Sequence, residues 1–214
     1  MNSPIILTEQ NEQLLTITLN RPEKANALSL QMLQTLADIL KEAAEDKSLH
    51  AMVITGAGDR VFCAGADLSE LRIEEDDPSN QLWDNLTQAL NNLPIMSVAM
   101  LNGPCIGGGM SLALGCDIRI GVPETRFQYP ALKNGVYPGG DDINHLNELI
   151  GPGRMSTLLL GGQSVDAEMA VSWGLLDKII QREDLPSAGS TITEIARNAP
   201  RENVMKMKRL FREG

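Results

Sequence analysis

Residues Leu14–Leu19 read Leu-Leu-Thr-Ile-Thr-Leu, the alternation of a strand with one face against a core, and Asn20-Arg21-Pro22 closes them as a turn. Ser29 then stands where a helix cap belongs. Leu30, Leu33, Leu36, Leu40 and Ala44 follow at spacings of three and four, which predicts an amphipathic helix running to Asp46. The apolar run 51–55 predicts a buried strand stopped by Gly56-Ala57-Gly58-Asp59. The unit then repeats, with a helix over 81–93, a strand over 95–101, a turn at 107–109, a helix over 110–114 and a strand over 118–121. Alternation of this kind predicts the α/β class.

Past Gly151-Pro152-Gly153 the pattern turns helical, over 155–160, 167–173 and 201–212, with one strand at 176–180. The expected organisation is therefore a core over 1–150 and a helical region over 151–214. Two charged segments interrupt the pattern. Glu74-Glu75-Asp76-Asp77-Pro78 reads as a solvated acidic loop, and Lys206, Lys208, Arg209 and Arg212 load the last helix with positive charge. That basic cluster fits either compensation of a helix dipole or a ligand.

Composition narrows the function classes. The 214 residues carry a net charge of -10, which argues against nucleic acid or an anionic membrane as partner, since both require a basic face. No 18-residue uncharged run occurs and Met1 to Thr8 holds neither Lys nor Arg, so the expected location is the cytoplasm. Cys63, Cys105 and Cys116 form no Cys-x-x-Cys pair and read as small buried residues of a reducing compartment. His50 reads as a loop residue.

Two short motifs carry the chemistry. In Phe62-Cys63-Ala64-Gly65-Ala66-Asp67-Leu68 small residues follow a strand, so the backbone can approach a ligand and present its N–H groups. In Asn102-Gly103-Pro104-Cys105-Ile106-Gly107-Gly108-Gly109-Met110 three glycines in a row separate a strand from a helix. Each costs backbone entropy on folding, so the run needs a reason, such as positive φ or an amide aimed at an anion. It matches neither Gly-x-Gly-x-x-Gly nor a Walker loop, which leaves out dinucleotides and nucleoside triphosphates.

Together the two motifs resemble the crotonase superfamily, the enoyl-CoA hydratase/isomerase family. The resemblance extends over Leu19 to Leu28, Val53-Ile54-Thr55-Gly56, Asn102 to Ile118, Pro130, Gly135, Pro138-Gly139 and Ala170 to Leu175. It implies a spiral of strand-strand-helix turns with a short C-terminal helical region, assembled as a homotrimer or a dimer of trimers. It also implies an acyl-CoA thioester as substrate, with no cofactor beyond the CoA moiety. By position, the amides of Ala66 and Gly108 would form the oxyanion hole, next to Gly107. Ala64, Asp67 and Leu68 match the stretch that meets adenine, and Lys24, Ala25 and Ala27 match the stretch along pantetheine and nucleotide. A thioester releases an α-proton only if charge on its oxygen is stabilised, and each such donor is worth roughly 2.7–4 kcal/mol.

The chain departs from the family where hydratases carry two glutamates. Those positions fall on Ser111 and Ala131, neither of which can act as a base near neutral pH. The nearest carboxylates are Asp141 and Asp142 in Tyr137-Pro138-Gly139-Gly140-Asp141-Asp142, which read either as first-turn helix acids or as the acid/base group, with a raised pKa if buried in the acyl pocket. One carboxylate suffices for double-bond isomerisation, and decarboxylation needs none, so both are expected ahead of efficient hydration. The alternatives are a non-catalytic acyl-CoA-binding protein and, further off, a serine hydrolase. For the latter, Gly109-Met110-Ser111-Leu112-Ala113 is one residue short of a nucleophile elbow, and His145 would pair with Asp117 or Asp141. Asp142 and His145 could nominally share a metal, but the sequence offers no third ligand, and no metal is expected.

Overall fold

The computed structural model describes residues 3–70 and 78–213. The chain opens with the hairpin β1 (Ile6–Asn11) and β2 (Leu14–Leu19), followed by α1 (Leu30–Glu45), β3 (Ala51–Gly56), α2 (Pro78–Asn91) and β4 (Met96–Leu101). Next come β5 (Cys105–Ile106), α3 (Gly108–Leu114), β6 (Ile118–Gly121), β7 (Arg126–Gln128), α4 (Ala131–Asn134) and α5 (Gly140–Leu159). The last elements are β8 (Val165–Asp166), α6 (Ala167–Trp173), β9 (Lys178–Ile179), α7 (Leu185–Asn198) and α8 (Arg201–Glu213). Six strands form one sheet in the order β1-β2-β3-β4-β6-β9, parallel apart from the β1–β2 hairpin. A smaller sheet runs β5-β7-β8.

The run 51–55 is apolar at every position but one because both faces of β3 are covered. Met52 and Ile54 join the core under α1, whereas Ala51 and Val53 join a second cluster with Leu14, Val98, Met100 and Ile120. That second cluster is closed by Leu185, Ala188 and Ile192 of α7. Side chains such as Ile17, Met32 and Leu36 are fully buried and contribute about 1.5–3 kcal/mol each. Ser29 caps α1 as expected, its Oγ accepting from the Met32 amide.

Several elements differ from the sequence reading. β1 was not predicted, since past Ile6 its side chains are exposed and it is held mainly by backbone pairing to β2. α7 was not predicted either. Its buried positions include Gly189 and Thr193, and Gly189 lies so close to Met100 that a methyl group there would sit 2.7 Å from Sδ. The helix expected over 155–160 is the end of α5, which bends at Gly151 (φ +74°) ahead of Pro152. The strand expected over 176–180 is only Lys178–Ile179, and the expected turn at 107–109 already contains the start of α3. Leu158, Val165, Ala170 and Leu175, all beyond Gly151, belong to the same core as the N-terminal strands. Residues 74–77 of the acidic segment lie outside the described residues.

Candidate active site

The site is assembled by stitching three loops together. The Ala64 amide donates to Ala25 O, the Leu28 amide to Gly65 O and the Asp67 amide to Leu28 O, which zips 25–28 against 64–67. Arg21 locks this seam, with one nitrogen on Asp67 Oδ2 at 3.0 Å and the other on Ala27 O at 2.8 Å. The third loop joins through the Cys63 amide on Pro104 O and the Ile106 amide on Cys63 O.

Small residues are demanded where the loops meet. Gly65 has φ +98°, and a methyl group on it would lie 3.0 Å from Ile106 O and 3.3 Å from the Gly108 nitrogen. Each of the three consecutive glycines answers a separate need. Gly107 has φ +51°; a methyl at Gly108 would lie 2.3 Å from Trp83 Cη2; one at Gly109 would lie 2.8 Å from Cys63 Cβ. The loops that carry the Ala66 and Gly108 amides are thus in contact. Among the described residues, neither amide donates to a backbone carbonyl outside the helices and strands. Gly108 opens α3, where the first amides have no partner within the helix.

A cavity of about 780 Å³ lies against this junction. Its wall includes Ala64, Ala66, Leu68, Gly107, Gly108, Ser111, Ala131, Asp141 and Asp142, so nine of the residues singled out in the sequence face one space. Lys24, Ala25, Ala27 and Asp67 are not in its wall. Lys24 is exposed on a 3-10 turn, and Asp67 is engaged by Arg21 and Ser69, whose hydrogen bonds, Ser69 first, hold its carboxyl at about 2.

The two candidate carboxylates stand in different surroundings. Asp142 is buried, accepting a 2.6 Å hydrogen bond from Ser111 Oγ and a longer one, 3.4 Å, from the Tyr129 hydroxyl, both on Oδ2. Burial pushes its carboxyl up to about 6, against the opposing pull of those two hydroxyls. Tyr129 is itself pushed upward by burial and by the Asp142 charge. Asp141 is half-buried and held by the Asn91 amide nitrogen at 3.0 Å.

Sequence reasoning missed part of the wall. Asn80, Trp83, Asp84, Thr87 and Gln88 line the cavity from one face of α2, and Tyr129, Asn134 and Tyr137 line it from the other side. The signal was present in the polar positions of 80–91, which recur at helical spacing as regularly as the apolar ones.

Other candidate chemistries are not assembled. Ser111 hydrogen-bonds Asp142 directly, without an imidazole between, while Asp117 serves Ser97 and Lys208. That arrangement disfavours the triad reading. Among the described residues no group of three or more His, Cys, Asp or Glu could hold a metal ion. The three cysteines are buried thiols, with burial pushing Cys63 and Cys116 up to about 12. Lys208 of the basic cluster is buried on Asp117 and Ile95 O.

A sequence model of the enoyl-CoA hydratase/isomerase family matches residues 9–213. The chain belongs to that family. It is 36% identical over 204 residues to a Bacillus subtilis protein named as an enoyl-CoA hydratase/isomerase, covering 94% of this chain and 78% of that one. It is 31% identical over 199 residues to the short-chain-enoyl-CoA hydratase of Clostridium acetobutylicum, covering 91% and 76%. The crystal structure of an enoyl-CoA hydratase from Bacillus anthracis superposes with a TM-score of 0.91 at 29% identity, over 96% of this chain and 81% of that one. The crotonase fold expected from the sequence is therefore the observed one. Among the described residues no helix is long and apolar enough to cross a membrane.

Proposed function

We propose that this protein is an acyl-CoA double-bond isomerase in which Asp142 is the single acid/base group. The Ala66 and Gly108 amides hold the thioester oxygen. Asp142 removes a proton from the α-carbon of a 3-enoyl thioester, the electron pair moves into the carbonyl to give a dienolate, and the same carboxyl returns the proton to the γ-carbon. The product is the 2-enoyl thioester. No other reactant is consumed.

The observation that carries this reading is the placement of Asp142. It is a buried carboxyl in the wall of the cavity, adjusted to about 6, where a base is ionised at neutral pH yet still basic enough to take a proton. Its partner Ser111 occupies one hydratase glutamate position and serves here to orient a carboxylate. Ala131 occupies the other and brings no acid, so water addition, which needs a second group, is disfavoured. The names of the relatives support the thioester substrate. In this reading Lys24, Ala25, Ala27 and Asp67 flank the CoA moiety along the 25–28 seam, and the exposed apolar residues Ile195, Leu210 and Phe211 favour an oligomer.

The test is turnover of 3-hexenoyl-CoA beside hydration of crotonyl-CoA. Isomerisation at a rate well above hydration is expected. Tight binding of CoA thioesters without turnover of either would replace this reading by the non-catalytic one, and labelling of Ser111 by a fluorophosphonate would replace it by a hydrolase.

A further inference from the structure

If the cavity holds the acyl group, as the reading above requires, its wall also says what kind of acyl group it takes. α2 leads away from the oxyanion junction, with Trp83 against Gly108 at one end and Asn91 on Asp141 at the other. An acyl group in this cavity meets Asp84, Thr87 and Gln88 of α2 and Asp141 of α5 along one stretch of its wall. That stretch is polar. Among the described residues, the wall contains three carboxylates, Asp84, Asp141 and Asp142, and neither Lys, Arg nor His.

Charge sign and hydrogen-bond capacity point the same way. Carboxylates accept and do not donate. A ligand that supplies donors or positive charge satisfies these groups. A ligand with a distal carboxylate meets repulsion from the exposed Asp84 and the half-buried Asp141, which salt can partly screen.

We infer that the acyl pocket selects thioesters whose acyl group carries a hydrogen-bond donor or a positive charge, and rejects those with a distal carboxylate. Discrimination comes from Asp84 and Asp141 as much by repelling the wrong group as by binding the right one.

The test uses four thioesters of one shape: phenylacetyl-CoA and its para-hydroxy, para-aminomethyl and para-carboxy derivatives, with affinities measured by calorimetry at pH 8 beside CoA alone. The hydroxy and aminomethyl compounds are expected to bind more tightly than phenylacetyl-CoA, and the carboxy compound at least about tenfold more weakly. In Asp84→Asn/Asp141→Asn the carboxy penalty should largely disappear. Should that variant fold poorly, the penalty relative to phenylacetyl-CoA in the unaltered protein should shrink as salt is raised. Equal affinity for all four, or a penalty untouched by both salt and the substitutions, overturns the inference. Failure to bind CoA itself would instead overturn the thioester reading on which it rests.

Discussion

Ser111 Oγ donates a 2.6 Å hydrogen bond to Asp142 Oδ2, tying α3 to the first turn of α5 across the wall of the cavity. The serine thus fixes the direction in which the Asp142 carboxylate presents its other oxygen. Two hydroxyls satisfy one oxygen of this buried carboxylate, and in the proposed reaction the other meets substrate.

Asp142→Asn should therefore lower kcat/KM for a 3-enoyl-CoA by about a hundred- to ten-thousand-fold, the range of a lost general base. Asp141→Asn, which keeps an amide within reach of Asn91, should cost far less. Steady-state rates of the two variants on 3-hexenoyl-CoA check the assignment, and equal losses would contradict it.

The same carboxyl makes stability depend on pH with a definite sign. Its folded value is raised from 3.8 to about 6, so between these values the unfolded chain loses the proton while the folded chain keeps it. Below 3.8 both states are protonated and nothing is lost; as pH rises through about 6 the folded state is progressively penalised, and above that the penalty is constant. Asp142→Asn removes the penalty and should stabilise the protein at pH 8 by up to about 3 kcal/mol, with little effect at pH 3.5. Urea midpoints at the two pH values measure it.

Activity should rise through the same region. The kcat/KM profile of the unaltered enzyme is expected to climb with a midpoint near 6 as Asp142 ionises. Ser111→Ala removes a hydrogen bond that favours the ionised form, so the midpoint should move to higher pH, and Tyr129→Phe should move it the same way. A profile that stays in place in both variants would assign the ionisation to another group.

How much of this was legible beforehand depended on whether a feature left its mark in side chains. α1 announced itself by a cap and a periodic stripe, and β3 by an apolar run that only a sheet covered on both faces requires. β1 left no such mark, because it is an edge strand whose contribution is backbone pairing. α7 was hidden because Gly189 and Thr193 interrupt the apolar face formed by Leu185, Ala188 and Ile192, and Gly189 is placed there for closeness to Met100 rather than for hydrophobicity. At the site, the glycine run and the small residues at 64–66 were readable as places of close backbone approach. The choice between Asp141 and Asp142 was not, since adjacent residues on a helix face different ways and only packing decides which is buried. Trp83 and the polar face of α2 escaped notice for a simpler reason: on a surface helix, polar residues are ordinarily solvent-facing.

Trp83 offers a direct test of the junction. Gly108→Ala places a methyl group 2.3 Å from Cη2 and 2.9 Å from Cζ3 of the indole, so the ring must move. A loss of about 1–3 kcal/mol is expected from this overpacking, together with a change in tryptophan emission. Replacing the ring in Gly108→Ala/Trp83→Leu should recover part of the stability, giving a non-additive double-mutant cycle. Additive losses would mean that the two residues do not touch.

Lys208 supplies the last prediction, and it concerns the end of the chain. Its ammonium lies 2.7 Å from Asp117 Oδ2 and donates to Ile95 O at 2.7 Å, while Asp117 also accepts from the Ser97 amide and hydroxyl. This bolts α8 to the region where β4 and β6 begin. Lys208→Met keeps the stem but removes the charge, leaving the partly exposed Asp117 carboxylate without its cation and the Ile95 carbonyl without its donor, at a cost of about 1–3 kcal/mol. Adding Asp117→Asn should restore much of the loss, because the uncompensated charge goes with it. Thermal melts of the three variants distinguish this from a solvated helix-end charge, whose removal would shift the midpoint little in any of them.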